Sequence, residues 1–307
     1  IFVQPEAEIM KSRSLSGSAY IDFPVDQTAI YPDYRRNTVE LGKIQATIDS
    51  VRNDKDVSIT SVWLKGFASP ESPYKHNTEL AIGRTAALKK HIGQLYHFAD
   101  SIIRTDYEPE DWAGLRRQVE QSNINHRGEI LALIDSDMEP DAKEAKIKRT
   151  YPEEYRFMLQ HFYPALRHTD YRIDYAIRTF SEVEEIKRIM AEQPQKLSQN
   201  EFYLVAGKYE PGTDEFTDVF ETAVRMFPND EIANLNAANA AIRRDDFETA
   251  HRYLDKAGDS AEAVYARGAL AIRKKDYNTA RRYLSKAKEM GFEKAGRTLD
   301  ELNERLQ

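Results

Sequence analysis

The sequence contains no cysteine, which removes disulfides, thiolate metal sites, thiol nucleophiles and a lipid-anchoring cysteine from consideration. The redox compartment stays open. No apolar run approaches the ~20 residues that a helix needs to cross a bilayer, so no membrane-spanning segment is expected. Positive charge is also short: 44 Lys and Arg stand against 51 Asp and Glu, a net charge of −7. Without a concentrated basic surface to neutralise phosphates, a nucleic-acid partner is not expected. The seven histidines are scattered without metal-type spacing, and no nucleophile, base and orienting group fall into one pattern. The expectation is a protein that is not an enzyme and needs no cofactor or metal. Asp135, Asp137, Glu139 and Asp141 alternate as in a calcium loop, but Pro140 stands where the sharp turn wants glycine, and Lys146 where the closing Glu belongs. The first residue is Ile, so the chain is expected to be a processed product or a piece of a longer protein, with any leader outside it.

What is present is ample core material, 41% apolar residues among 307, enough for about two domains. Ala19, Ile21 and Phe23 alternate with Tyr20 and Asp22, predicting a strand over 17–23. Leu41, Ile44, Ile48 and Val51 recur at helical spacing, predicting a helix over 34–53. VSITSVWLKGF at 57–67 is β-branched and aromatic, a central strand. The stretch GFASPESPYKHNTELAIGRTAALKKHI, 66–92, begins as a polar loop and becomes an amphipathic helix with Arg84 where the apolar face begins. A strand follows at 101–107, then a charged, helically patterned insertion over about 109–167. The clearest strand alternation in the chain starts at Tyr171.

Beyond residue 180 the pattern is helical and repeats. DDFETAHRYLDKA at 245–257 matches KDYNTARRYLSKA at 275–287 with an offset of 30 residues, and each follows an Ala-rich helix. A looser copy ends in FETAVRMFPND at 220–230. These hairpins resemble the tetratricopeptide repeat (TPR). Ala238 and Gly268 take its small position, Phe247 and Tyr277 its aromatic one, and Ala250, Ala257, Ala280 and Ala287 the later small ones. The spacing of 30 is shorter than the usual period of about 34. Helices at 182–192 and 293–306 are expected to flank or cap the array.

The first domain resembles the OmpA C-terminal-like family, on AYIDFPVD near the first strand and above all on Gly66, Asn77 with Leu80, and Arg84 with Ala86. The loop GFASPE is similar to the form common in surface-associated proteins of Bacteroidetes. In peptidoglycan-binding members, a loop Asp and the helix Arg hold the ammonium and carboxylate of a diaminopimelate side chain. The resemblance implies that role for Arg84, with Asn77 as a helix N-cap that leaves amides for an anion. The matching loop position is Ser69, and an uncharged hydroxyl cannot oppose an ammonium, so half the clamp is missing unless Glu71 swings in. On the repeats, Asn239, Arg243, Tyr265 and Arg273 are expected to line a concave face, the two arginines at equivalent places forming a short basic stripe for an acidic peptide or a C-terminal carboxylate.

The expected fold is α+β: an OmpA-like βαβαβ-type sandwich with a helical insertion over 1–180, then an all-α TPR-like helical repeat domain over 181–307. The expected function is a non-enzymatic cell-envelope adaptor, periplasmic or outer-membrane-associated, with the peptidoglycan stem peptide and a protein as partners. The alternative is a pure interaction scaffold for surface-structure assembly whose first domain has lost peptidoglycan binding.

Overall fold

A computed structural model describes residues 1–306. They form an α+β protein with one four-stranded sheet and many helices. Two compact units divide it, Ser12–Arg178 and a second made of Ile1–Lys11 together with the chain from Thr179 onward. Residues 1–11 were expected with the first domain. They belong with the C-terminal helices because their polar groups are satisfied there: the Lys11 ammonium lies 3.0 Å from Glu201, with both side chains buried, and Asn236 binds the backbone of Val3.

In the first unit the strands are β1 (Lys11–Ala19), β2 (Val57–Phe67), β3 (Ile103–Glu108) and β4 (Thr169–Ile177), in sheet order β1-β4-β2-β3. β2 runs parallel to β3, with Val62 opposite Ile103, and antiparallel to β4, with Leu64 opposite Tyr171. Helices α1 (Asn37–Arg52) and α2 (Tyr74–Tyr96) supply Leu41, Ile44, Ile48, Leu88 and Ile92 to a core against Val62, Leu64, Tyr171 and Ile173 of the sheet. On β4, Asp174 ties its neighbours together, accepting from Ser14 of β1 at 2.7 Å and Ser61 of β2 at 3.1 Å. Gly66 is where β2 meets α2. A Cβ there would stand 2.0 Å from the Thr85 hydroxyl oxygen, so the approach requires glycine.

The first strand departs from its expected place. Ala19 and Ile21 are buried as the alternation requires, but the backbone beyond Ala19 is held by side chains. The Tyr20 amide donates to Glu40 at 3.0 Å and the Asp22 amide to Asn37 at 2.7 Å. Alternation reports one-sided burial, and here α1 provides the partners that a strand neighbour would.

The insertion forms α3 (Trp112–Gln121), α4 (Arg127–Ile134), α5 (Pro140–Thr150), α6 (Pro152–His161) and α7 (Tyr163–Leu166). It has its own core of Leu115, Val119, Ile130, Ile147, Met158 and Tyr163.

The second unit comprises α8 (Val183–Glu192), α9 (Gln199–Ala206), α10 (Asp214–Met226), α11 (Glu231–Arg243), α12 (Phe247–Leu254), α13 (Ala261–Arg273), α14 (Tyr277–Glu289) and α15 (Glu293–Arg305). The repeated sequence becomes repeated structure. Ala250 and Ala280 are fully buried, as are Leu254 and Leu284. Asp246 and Asp276 cap α12 and α14 through the amides of Thr249 and Thr279. Asp245 and Lys275 make the preceding left-handed turns, at φ 61° and 62°. A Cβ at Gly268 would lie 3.1 Å from Leu284, which is why α13 carries its smallest residue where α14 packs.

Candidate functional site

The loop after β2 continues the sheet for one residue on each side: the Ala68 amide donates to the Glu108 carbonyl at 3.2 Å and the Asp111 amide to the Ala68 carbonyl at 3.0 Å. This pins Ser69, which is buried. Its hydroxyl donates to the Glu71 carboxylate at 2.8 Å, so the acid lies against the position that the sequence left uncharged. Arg167, just before β4, reaches the same carboxylate at 3.5 Å.

Arg84 projects from α2 toward this group. Its Nε donates to the Gln27 carbonyl at 3.3 Å, and its guanidinium lies 5.0 Å from the centre of the Phe23 ring. Burial lowers its pKa first and the neighbouring Arg167 charge second, while Asp26 and Glu71 push the other way. The side chain remains a cation, but a partly desolvated one facing a like charge, and a bound anion would relieve both penalties.

Arg84 and Arg167 open into a cleft of about 510 Å³ that is also lined by Arg35, Arg36 and Lys43 and by two acids, Asp22 and Glu40. Glu40 is engaged already. Burial raises its pKa, but hydrogen bonds from Lys43 at 2.7 Å and the Tyr20 amide outweigh this and hold it below its ordinary value. Arg35 sits 3.5 Å from Asp22. Five cations against two acids leave the cleft positive on an acidic protein. That suits a carboxylate-bearing ligand, while Glu71 lies outside the lining and reaches it through its ion pair with Arg167.

Asn77 does not cap its helix. α2 starts earlier, after Pro73, which has no capping side chain. Asn77 instead spends its amide on the Ser72 carbonyl at 2.6 Å and on the buried Glu110 carboxylate at 2.9 Å. The amide of Tyr74, the first of the helix, donates to Asp141 of α5 at 2.8 Å. The expected anion site at this helix start is therefore filled from within the chain. Trp112 Nε1 holds the other Glu110 oxygen at 2.8 Å. Burial nevertheless keeps the Glu110 pKa above its ordinary value.

On the helical unit the four expected residues do not form an open face. Asn239 and Tyr265 are buried, and the Tyr265 hydroxyl lies 3.2 Å from Thr298 with its ring packed 5.2 Å from Phe292. Arg273 forks onto Asp245, with both carboxylate oxygens at 2.6 Å. The exposed Arg243 lies over the ring of Phe2, at 5.9 Å. The basic stripe is thus dissolved: one arginine is neutralised and the other covers an aromatic ring.

Two residues escaped the sequence reading. Arg167 carries no local signal, because only the fold brings the start of β4 beside α2. Asn236 had one: NLNAANAA places three asparagines in an apolar helix, and buried amides need partners. Among the described residues no helix is long and apolar enough to cross a membrane. Neither a protein-family model nor a curated protein sequence matches the chain.

Proposed function

We propose that the protein is a non-enzymatic adaptor of the cell envelope, periplasmic or outer-membrane-associated. In this reading Ser12–Arg178 is an OmpA-like domain that takes the peptidoglycan stem peptide at Arg84, and the TPR-like helices take a protein. One observation carries the wall-binding half: Glu71, seated by the Ser69 hydroxyl at 2.8 Å, supplies the negative group opposite Arg84 that position 69 lacks. A zwitterionic diaminopimelate head needs one partner of each sign, and the planar guanidinium forks onto its carboxylate.

Co-sedimentation with purified sacculi tests it. Binding by the wild type that is lost in Arg84→Ala supports the wall-binding reading. Equal absence of binding in both sinks it. The second reading, an interaction scaffold for assembling surface structures, draws support from the contact between Arg167 and Glu71 at 3.5 Å, which closes the clamp on itself. Absence of sacculus binding in both proteins favours that reading.

A further inference from the structure

Residues 1–4 belong to no helix or strand, yet they are fixed in the helical unit by contacts of two distinct kinds. The first is to backbone. Asn236 of α11, buried to 2% exposure, accepts from the Val3 amide at 2.7 Å through Oδ1 and donates from Nδ2 to the Val3 carbonyl at 2.7 Å. One side-chain amide thus offers a residue what a neighbouring strand would offer, and it does so whatever side chain that residue carries.

The second kind is to side chains. The Phe2 ring meets Phe216 edge-on at 4.8 Å and stacks on Phe220 at 5.0 Å, both on α10, with the Arg243 guanidinium 5.9 Å away. Ile1 packs against the cluster containing Tyr265 and Leu302, and Val3 against the one containing Leu235 and Leu270. The segment remains only partly buried. Its grip combines a sequence-independent backbone bond with a pocket for one aromatic ring. This is the chemistry by which a groove receives a separate extended peptide.

We propose that this groove is a receptor for an extended peptide presenting an aromatic residue between two β-branched ones, and that residues 1–4 occupy it in cis as a competitor which the incoming peptide displaces. The proposal rests on reading the helices as a protein-binding surface and adds to it the ligand pattern and the internal occupant. Competition follows from occupancy. If the cis segment fills the groove nine-tenths of the time, a partner's apparent affinity is about tenfold below its intrinsic one.

The test uses the full chain and a fluorescein-labelled peptide of sequence Ile-Phe-Val-Gln, followed by fluorescence anisotropy. Phe2→Ala combined with Val3→Pro empties the aromatic pocket and deletes the amide that Asn236 accepts from. The doubly substituted chain should bind the peptide about tenfold or more tighter than wild type, and adding Asn236→Ala should abolish that binding. No peptide binding by the doubly substituted chain overturns the receptor itself. Equal binding by it and by the wild type overturns the internal competition while leaving the receptor standing. Loss of helical circular dichroism in the doubly substituted chain makes residues 1–4 a structural strap and overturns the proposal. A wild-type dimer that disappears with Phe2→Ala and Val3→Pro assigns the groove to a second copy and overturns it too.

Discussion

The Ser69 hydroxyl donates to the Glu71 carboxylate at 2.8 Å, which shifts the acid of the loop two residues along the chain while keeping it in the neighbourhood of Arg84. The uncharged Ser69 thus seats a carboxylate supplied from two residues away. Ser69 is buried and Glu71 is exposed, so the serine orients and the glutamate meets solvent.

Under the wall-binding proposal, Glu71→Gln should weaken sacculus binding without unfolding the protein. Replacing a charged partner of an ammonium by a neutral amide costs about 1.5–3 kcal/mol, a loss of roughly tenfold or more in affinity. Sedimentation titrations against purified sacculi would measure it, with thermal melts as the control for folding. Undiminished binding by Glu71→Gln would remove the acid from the clamp.

Glu110 predicts a pH effect. Its folded pKa lies above the ordinary 4.5, so the native chain keeps a proton that the unfolded chain has released. The contribution of this group to stability is therefore full below pH 4.5, falls as pH rises through the raised value, and is level beyond it. In urea titrations at successive pH values, the stability of wild type relative to Glu110→Gln should decline as pH rises from 4.5. Gln keeps one of the two hydrogen bonds from Asn77 and Trp112, so the variant also carries a constant cost of about 1 kcal/mol. A difference that is flat with pH refutes the assignment.

The Lys11 and Glu201 pair is buried on both sides, at 2% and 3% exposure. Glu201 also accepts from the Phe180 amide at 2.7 Å and the Ser198 amide at 2.8 Å. Lys11→Met strands that carboxylate and should cost about 3–5 kcal/mol. Combining it with Glu201→Gln removes the uncompensated charge and should recover a large part of the loss. Chemical denaturation of both variants decides. Equal destabilisation would mean that the amide bonds, not the ammonium, govern the site.

Lys275 is exposed and holds φ at 62°, a conformation that costs a side-chain-bearing residue about 1 kcal/mol. Lys275→Gly should stabilise the protein by up to about 0.5 kcal/mol after the added flexibility of the unfolded chain is counted. At the equivalent Asp245, φ 61°, the same change also frees Arg273 from its ion pair and should gain less. Thermal denaturation ranks the two. A larger gain at Asp245 would contradict this account of the repeated turn.

Sequence periodicity located the elements whose residues face a core. Leu41, Ile44 and Ile48 announced α1, and the 30-residue offset announced the paired helices, because burial imposes a spacing that the chain must display. It misplaced β1, since Ile21 is buried beside a helix rather than a strand, and alternation is the same in both cases. The site was less legible. Arg84 stood out on its helix, but Arg167 becomes its neighbour only through the sheet, and nothing in the local sequence of either residue encodes that. Tyr265 and Arg273 mislead for the opposite reason: a repeat pattern gives a position but not its partners, which here are Thr298 and Asp245.

The donation from Tyr74 to Asp141 at 2.8 Å bears on any attempt to trim the first unit. Cutting out the whole stretch 109–168 between β3 and β4 to obtain a minimal domain would delete the oxygen that receives the first amide of α2, the Glu110 that Asn77 holds, and Arg167 itself. That stretch supplies Pro164 and Arg167 to the wall of the cleft, so a shortened domain would lose part of the proposed ligand site together with the partner of the first amide of α2.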